Sequence, residues 1–276
     1  MIELGNYNAL KINRSTRIGL FLEDGEGTEI FLPNKYVPAS FQIGDILDVF
    51  CYLDSNERPI ATTLNPLVIR NTFAFLQVAS VNQYGAFLDW GLEKHLFVPF
   101  REQLAKMKEG ERYVVYCYLD EESFRLMASM RLNRFLSNEN LDYTMGNQVN
   151  LLISRKTDLG FEAVVDNKHK GLIFYDDVFK EIQIGDSLKG YVKNIRPDKK
   201  IDLSLEPFGF EKMEPAVQMI YDKLLSSNGY LALHDKTAPQ EIKNQLQMSK
   251  KTFKKAIGSL YRARKIVIKN DGIYLI

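Results

Sequence analysis

QIGDILDVFCYLD (Gln42–Asp54) and MKEGERYVVYCYLD (Met107–Asp120) are one stretch written twice, and their spacing decides the architecture. Gly44 and Gly110, Cys51 and Cys117, and Asp54 and Asp120 all stand 66 residues apart. An offset that holds at three separated positions marks two adjacent modules of one plan. Upstream, RIGLFLEDG (Arg17–Gly25) answers to YGAFLDWG (Tyr84–Gly91), with Gly19 and Gly85 again 66 apart. A short apolar run ending in proline follows in each, IFLP (Ile30–Pro33) and LFVP (Leu96–Pro99). Each module closes on an alternating segment, RPIATTL (Arg58–Leu64) or FRLMASM (Phe124–Met130).

A third copy begins at Val149. It contains LGFEAVVDNKHKGLIF (Leu159–Phe174), IQIGDSLKGYVKNIRPD (Ile182–Asp198) and KIDLSL (Lys200–Leu205). Gly160 and Gly185 lie 75 residues beyond Gly85 and Gly110, and the extra length fits a linker over Asn133–Met145. Within each copy the elements are short, β-rich and separated by turn residues. Some five strands in about 65 residues are too few for a sandwich and suit a small closed barrel. The glycine in the second strand is where such a strand is expected to bend. The reading is a mainly β chain with three five-stranded barrels at 1–66, 67–132 and 146–209, then an α+β domain at 210–276.

The C-terminal domain changes period. EPAVQMIYDKLLSSNG (Glu214–Gly229) places Val217, Ile220, Tyr221, Leu224 and Leu225 at helical spacing, with proline in the first turn and Gly229 past the end. YLALH (Tyr230–His234) is a short strand, and TAPQEIKNQLQ (Thr237–Gln247) a second helix with a cap residue near Pro239. SKKTFKKAIGSLYRARK (Ser249–Lys265) is a third helix, capped by Ser249, with Phe253, Ile257, Leu260 and Tyr261 at helical spacing. IVIKNDGIYLI (Ile266–Ile276) turns as a hairpin at Asn270-Asp271-Gly272. Helix, strand, helix, helix, hairpin is the winged-helix order, whose third helix is the usual nucleic-acid reader.

Charge supports that assignment. The formal net charge is only +1, yet residues 210–276 carry 12 basic against 6 acidic side chains, and residues 1–66 carry 5 against 9. Lys250, Lys251, Lys254, Lys255, Arg262, Arg264, Lys265 and Lys269 stand without one intervening acid. A run made for solubility alone would normally include Glu, so phosphate contact is the favoured reading. Arg262, Arg264 and Gln247 are the few side chains suited to base edges, so weak sequence preference is expected. The first module, with Glu23, Asp24, Glu26 and Glu29 close together, should repel phosphate and serve as a spacer or a protein contact.

Other classes are poorly provided for. Two cysteines at matching repeat positions read as core, and three histidines without ligand spacing leave little for a metal site. No cofactor is expected. No apolar run approaches the roughly 20 residues of a membrane span, and the N-terminus lacks a signal-peptide pattern, so a cytoplasmic protein is expected. Asp54 with Glu57, and Asp176 with Asp177, are more simply turn residues than catalytic carboxylates, and no enzyme is expected.

The order of motifs resembles the S1 RNA-binding domain, of the oligonucleotide-binding (OB) barrel group. The second copy matches best through YGAFLDWG, and the third keeps IGDSLKGYV and IDLSL. Three copies with a basic helical tail resemble the conserved virulence factor B (CvfB/YitL-like) family over essentially the whole chain. That resemblance implies stacking of nucleotides on two aromatics of the second strand, aided by a histidine of the third strand and by an Asp and Arg near the last loop. It assigns Tyr84, Phe87, Asp120 and Arg125 in the second copy, with Pro99 in place of the histidine. The first copy keeps Phe21, Asp54 and Arg58, but has Ile18 and Pro33 at the other places. The third has Leu159 and Glu162 where aromatics belong, with Phe174 at the histidine position and Asp198 and Lys200 retained. Tyr84 and Phe87 are three apart, and strand neighbours at that spacing face opposite ways, so one would be buried unless Gly85 carried a bulge.

The expected function is RNA binding that influences gene expression after transcription, with single strands stacking on the second barrel and phosphate affinity from the tail. Duplex DNA stays open as a partner of the winged helix. The alternative is a scaffold that docks a protein through the acidic first barrel, with only the tail touching nucleic acid.

Overall fold

The computed structural model describes residues 1–178, 180–207 and 215–276. Residue 210, expected to open the last domain, and Glu214, expected to open its first helix, lie outside the described residues. The first barrel comprises β1 (Tyr7–Thr16), β2 (Gly19–Glu23), β3 (Glu29–Pro33), β4 (Ile46–Leu53) and β5 (Pro59–Thr62). The second comprises β6 (Thr72–Val81), β7 (Gly85–Asp89), β8 (Leu96–Pro99), β9 (Arg112–Leu119) and β10 (Leu126–Ser129). The third comprises β11 (Gln148–Lys156), β12 (Gly160–Val165), β13 (His169–Phe174), β14 (Ser187–Ile195) and β15 (Ile201–Ser204). All three close in the order first, second, third, fifth, fourth, and the third and fifth strands pair in parallel.

One device closes each barrel. The first strand slips register between Ile12 and Arg14, between Val78 and Ser80, and between Ile153 and Arg155. The residue just before the slip, Ile12, Val78 or Ile153, donates its N–H to the carbonyl of Asp45, Glu111 or Asp186, at 2.8, 2.9 and 2.9 Å. It accepts in return from the N–H of Gly44, Gly110 or Gly185, at 2.8, 2.9 and 2.8 Å. The Gly-Asp or Gly-Glu pair that marks the repeat therefore anchors the bulge, and a bulge is what lets a strand curl around a small barrel. Gly19, Gly85 and Gly160, where the sequence predicts a bend, stand in register with the facing strand. Those glycines permit close approach: a Cβ on them would meet the main-chain oxygen of Leu32, Val98 or Ile173 on the facing strand.

The first two barrels share a core. Phe50 and Tyr52 of β4 are buried against Trp90, which follows β7, with ring centroids 5.7 and 6.2 Å apart in edge-to-face geometry. Trp90 is only 2% exposed and donates its indole N–H to the Lys94 carbonyl at 2.5 Å. Cys51 and Cys117 are free and fully buried. The linker expected at Asn133–Met145 is laid down on protein: Phe135 stacks on Tyr116 with centroids 4.0 Å apart. Asn138 donates to the carbonyls of Lys170 and Lys199, at 2.8 and 2.9 Å.

The C-terminal unit contains α1 (Pro215–Ser226), β16 (Tyr230–Leu231), α2 (Pro239–Leu246), α3 (Lys250–Arg262), β17 (Ile266–Ile268) and β18 (Ile273–Leu275), with sheet order β16-β18-β17. Its core gathers Ile220, Leu224, Ile242, Phe253, Ile257 and Leu260. Four details differ from the sequence reading, the first being that the strand expected over Tyr230–His234 covers only Tyr230–Leu231. Leu225 and Tyr261, placed on apolar faces by their spacing, are 55% and 57% exposed. The N-cap of α2 is Ala238, which makes no side-chain cap; the Thr237 hydroxyl instead accepts from the His234 N–H. Ser249 does cap α3, its hydroxyl accepting from the Thr252 N–H at 3.1 Å.

Candidate nucleic-acid interface

A cavity of about 750 Å³ opens where the second barrel meets the β4–β5 turn of the first. Its floor is the outer face of β7 and β8. Inward residues of those strands, Ala86, Leu88, Leu96 and Val98, fill the barrel, so the alternate residues Phe87 and Phe97 face outward. The two rings are cross-strand partners with centroids 5.1 Å apart. Tyr84 precedes β7 in a turn held by Asn82, whose side-chain oxygen accepts from the Tyr84 N–H at 2.8 Å. It is therefore free of strand alternation, lies 65% exposed, and lines the same cavity as Phe87. Phe87 is half-buried, and no bulge at Gly85 is involved, because the register slip lies on β6.

The residue just beyond that slip distinguishes the three barrels. It is Arg14 in the first, Ser80 in the second and Arg155 in the third, each paired across to the second strand. Arg14 lays its guanidinium 3.6 Å from the Phe21 ring centre and bonds Glu29 at 2.8 Å, so the face of Phe21 is already covered. Glu29 is held below its usual carboxylate range by the hydrogen bond from Arg14. Arg155 pairs with Glu162 at 2.9 Å, and the cross-strand neighbour of Glu162 is Leu172, so the third barrel has no aromatic pair there. Ser80 is too short to cover Phe87, and of the three aligned faces only the second presents an uncovered aromatic pair.

The other expected contacts are placed unevenly. Asp120 accepts from the Ser123 hydroxyl and N–H at 2.6 and 3.0 Å, and those bonds hold its carboxyl below the usual range, so it organises the β9–β10 turn. Arg125 lines the cavity, with its Nε donating to Glu57 at 3.0 Å. Arg58 is paired within its own turn to Asp54 at 2.7 Å, and Lys200 likewise to Asp198 at 2.7 Å. The Phe174 ring lies under Arg196, 5.4 Å from the guanidinium carbon. Only Tyr84, Phe87 and Arg125 come together.

Sequence reasoning missed Phe97, His95, Lys94 and Phe124. The first three line the cavity, and the pairing of LFVP with YGAFLDWG was the signal for Phe97. Phe124 sits in the β9–β10 loop, 64% exposed with φ 55, an unusual setting for a bulky side chain. That loop is one of the two through which OB barrels contact oligonucleotides.

On the winged helix, Lys251, Lys254 and Lys255 lie exposed on α3, opposite buried Phe253, Ile257 and Leu260. Arg262, Arg264 and Lys269 are exposed, and Lys250 and Lys265 partly so. Lys250 donates to the Lys236 carbonyl at 3.3 Å, Arg262 to the Gly258 carbonyl at 3.3 Å, and Lys269 sits 4.5 Å from the Tyr274 ring centre. Gln247 takes the left-handed C-cap position of α2, with φ 50.

Tandem OB barrels with an open aromatic face, followed by a winged helix with a basic third helix, define a class of nucleic-acid-binding protein. Comparison with known proteins supports that role and narrows the class. An S1 domain model matches residues 4–64, and a CvfB-like winged helix domain model matches residues 218–275. The uncharacterized protein YitL of Bacillus subtilis is 28% identical over 98% of this chain and 93% of its own length. Conserved virulence factor B of Staphylococcus epidermidis is 25% identical over 91% of this chain and 87% of its own. The chain is similar to these CvfB-like proteins over nearly its whole length. A crystal structure of a multidomain protein with nucleic acid binding domains from Streptococcus pneumoniae aligns with 99% of this chain and 98% of its own, at 25% identity and a TM-score of 0.48. Among the described residues no helix is long and apolar enough to cross a membrane.

Proposed function

We propose that this protein binds single-stranded RNA on the outer face of β7 and β8, gains phosphate affinity from α3, and so acts on gene expression after transcription. One observation carries the reading: Phe87 and Phe97 form an outward aromatic pair that Ser80 leaves uncovered, with Tyr84 exposed at its edge. Every base has a π-face, so such a surface holds single strands with little sequence choice, at about 1–3 kcal/mol per stacked base. Paired bases in a duplex do not offer their faces, which favours single strands here, while α3 suits the phosphates of either nucleic acid. The site is built of rings and ion pairs, and we read the chain as a binder without catalytic activity. The first barrel, with Phe21 under Arg14 and an excess of acids, is given no strand-binding role.

The test is a titration of the full chain with labelled single-stranded RNA and with duplex DNA, following anisotropy and Trp90 emission. Phe87→Ala and Phe97→Ala should each weaken RNA binding by about tenfold or more, the loss of roughly one stacked base. Binding that survives both substitutions but disappears when residues 210–276 are removed would make the winged helix the sole nucleic-acid module. Preference for duplex DNA would likewise overturn the reading.

A further inference from the structure

Resting on that RNA-platform reading, we propose that Lys94 and Arg125 form a backbone-phosphate subsite beside the Phe87 and Phe97 rings. The Glu57 carboxylate of the first barrel fills this subsite until a strand displaces it. Lys94 comes from the β7–β8 loop and Arg125 from the end of the β9–β10 loop. Glu57 projects from the β4–β5 turn in the left-handed region, at φ 61. Its Oε1 accepts from Lys94 Nζ at 3.1 Å and its Oε2 from Arg125 Nε at 3.0 Å. An anion that takes an ammonium on one oxygen and a guanidinium on the other is bonded as a phosphate diester would be through its two non-bridging oxygens. The same three side chains line the cavity floored by the aromatic pair, so a base on the rings would bring its phosphate to this point.

Lys94 also donates to the Asp54 carbonyl at 2.8 Å, and comparison of the three barrels explains why Arg125 is available. The turn before the last strand carries Arg58, Arg125 or Lys200. In the first and third barrels that cation is neutralised within its own turn, by Asp54 or Asp198. In the second, the turn carboxylate Asp120 is bonded to Ser123, and Arg125 reaches across to another barrel for its anion. The bridge is also easy to exchange. The Glu57 and Arg125 side chains are 39% and 55% exposed, and solvent-exposed ion pairs of this kind contribute little net free energy. The first barrel therefore acts as an internal competitor, and its acid lowers the affinity of the platform that it helps to enclose.

The experiment measures affinity of the full chain for labelled polyuridylate RNA over a salt series. Glu57→Gln keeps the side-chain shape and removes the competing charge. It should tighten binding about fivefold at low salt, with the gain shrinking as salt rises. In a Lys94→Met/Arg125→Met background, where binding is weaker, Glu57→Gln should give no gain, because the two effects are coupled through direct contact. Glu122→Gln removes one negative charge from the Arg125 turn without touching the bridge, and should give a smaller gain. Trp90 emission and thermal melts establish that each variant is folded. The subsite is overturned if Glu57→Gln leaves binding unchanged or weaker while Phe87→Ala still weakens it about tenfold. It is equally overturned if the gain persists without Lys94 and Arg125, or if Glu122→Gln matches it. Insensitivity of wild-type binding to Phe87→Ala would instead sink the platform reading itself.

Discussion

At the scale of single residues, the difference between a covered aromatic and a usable one comes down to what stands across from it. Phe21 and Phe87 occupy the same strand position in their barrels, and Arg14 or Ser80 faces them. Ser80→Arg should therefore close the second face as Arg14 closes the first. The arginine would lie on Phe87 and compete with bases, weakening RNA binding by about tenfold for the loss of one stack, with the melting temperature little changed. Unchanged affinity in that variant would mean that the strand does not use the Phe87 ring. Tyr84 and Phe87 could be named from sequence because they sit inside a recognisable motif. The role of Ser80 could not, since its pairing depends on a register slip between Val78 and Ser80 that shifts every later residue of the strand by one. Phe97 was hidden for a related reason: in LFVP it looks like one more core residue until the pairing with Phe87 turns it outward.

At the scale of elements, sequence was most informative where a period and a cap agreed. The third helix of the last domain had both, with apolar residues at helical spacing after Ser249, and α3 follows that pattern from Lys250 to Arg262. Ser249→Ala should cost about 1 kcal/mol by leaving the Thr252 N–H without its acceptor, seen as a lower melting temperature for the C-terminal unit. Lys251→Ala with Lys254→Ala should leave stability nearly unchanged, because both side chains are exposed, yet reduce nucleic-acid affinity at low salt. Two lost phosphate contacts would lower the slope of log affinity against log salt by about 1.4 for a single strand. An unaltered slope would show that the lysine face is only solvated. The pattern overreached at Leu225 and Tyr261, whose spacing suits the buried stripe but which fall at its edge, where a small domain runs out of partner surface. In the barrels, the Gly-Asp turn was legible as a repeat mark. Its work of tying down the opposite bulge was not, because that bond joins residues some 30 positions apart in the chain.

At the scale of the whole molecule, the repeat announced separate modules, whereas the packing joins the first two. Phe50 and Tyr52 on β4 correspond to Tyr116 and Tyr118 on β9, and in both cases the pair receives whatever comes next. Phe50 and Tyr52 take Trp90, while Tyr116 and Tyr118 take Phe135 at 4.0 and 5.5 Å. In the third barrel the matching positions are Tyr191 and Lys193, and no second aromatic stands there. From sequence these residues read as ordinary strand alternation, since nothing local tells an aromatic that faces solvent from one that faces a neighbouring module. The consequence for folding is specific. A shared core of Phe50, Tyr52 and Trp90 should make the first two barrels unfold together, as a core cannot be half lost without exposing large rings. Cys51 and Cys117 report on this, one in each barrel. Burial pushes both thiols up to about 12, from 9 for a free thiol, so in the folded chain neither is a thiolate at pH 8. As the unfolded chain alone loses these protons above pH 9, stability should fall as pH rises from there towards 12. At pH 8 a disulfide reagent should label neither thiol in the native protein, and both at the same urea concentration, coincident with the red shift of Trp90. Labelling of Cys51 at distinctly lower urea than Cys117 would separate the barrels, leaving the aromatic junction as a contact between independent domains. Phe50→Ala sharpens the comparison. It removes a fully buried ring from the junction, at a cost of about 3–5 kcal/mol, and should move both labelling midpoints down together.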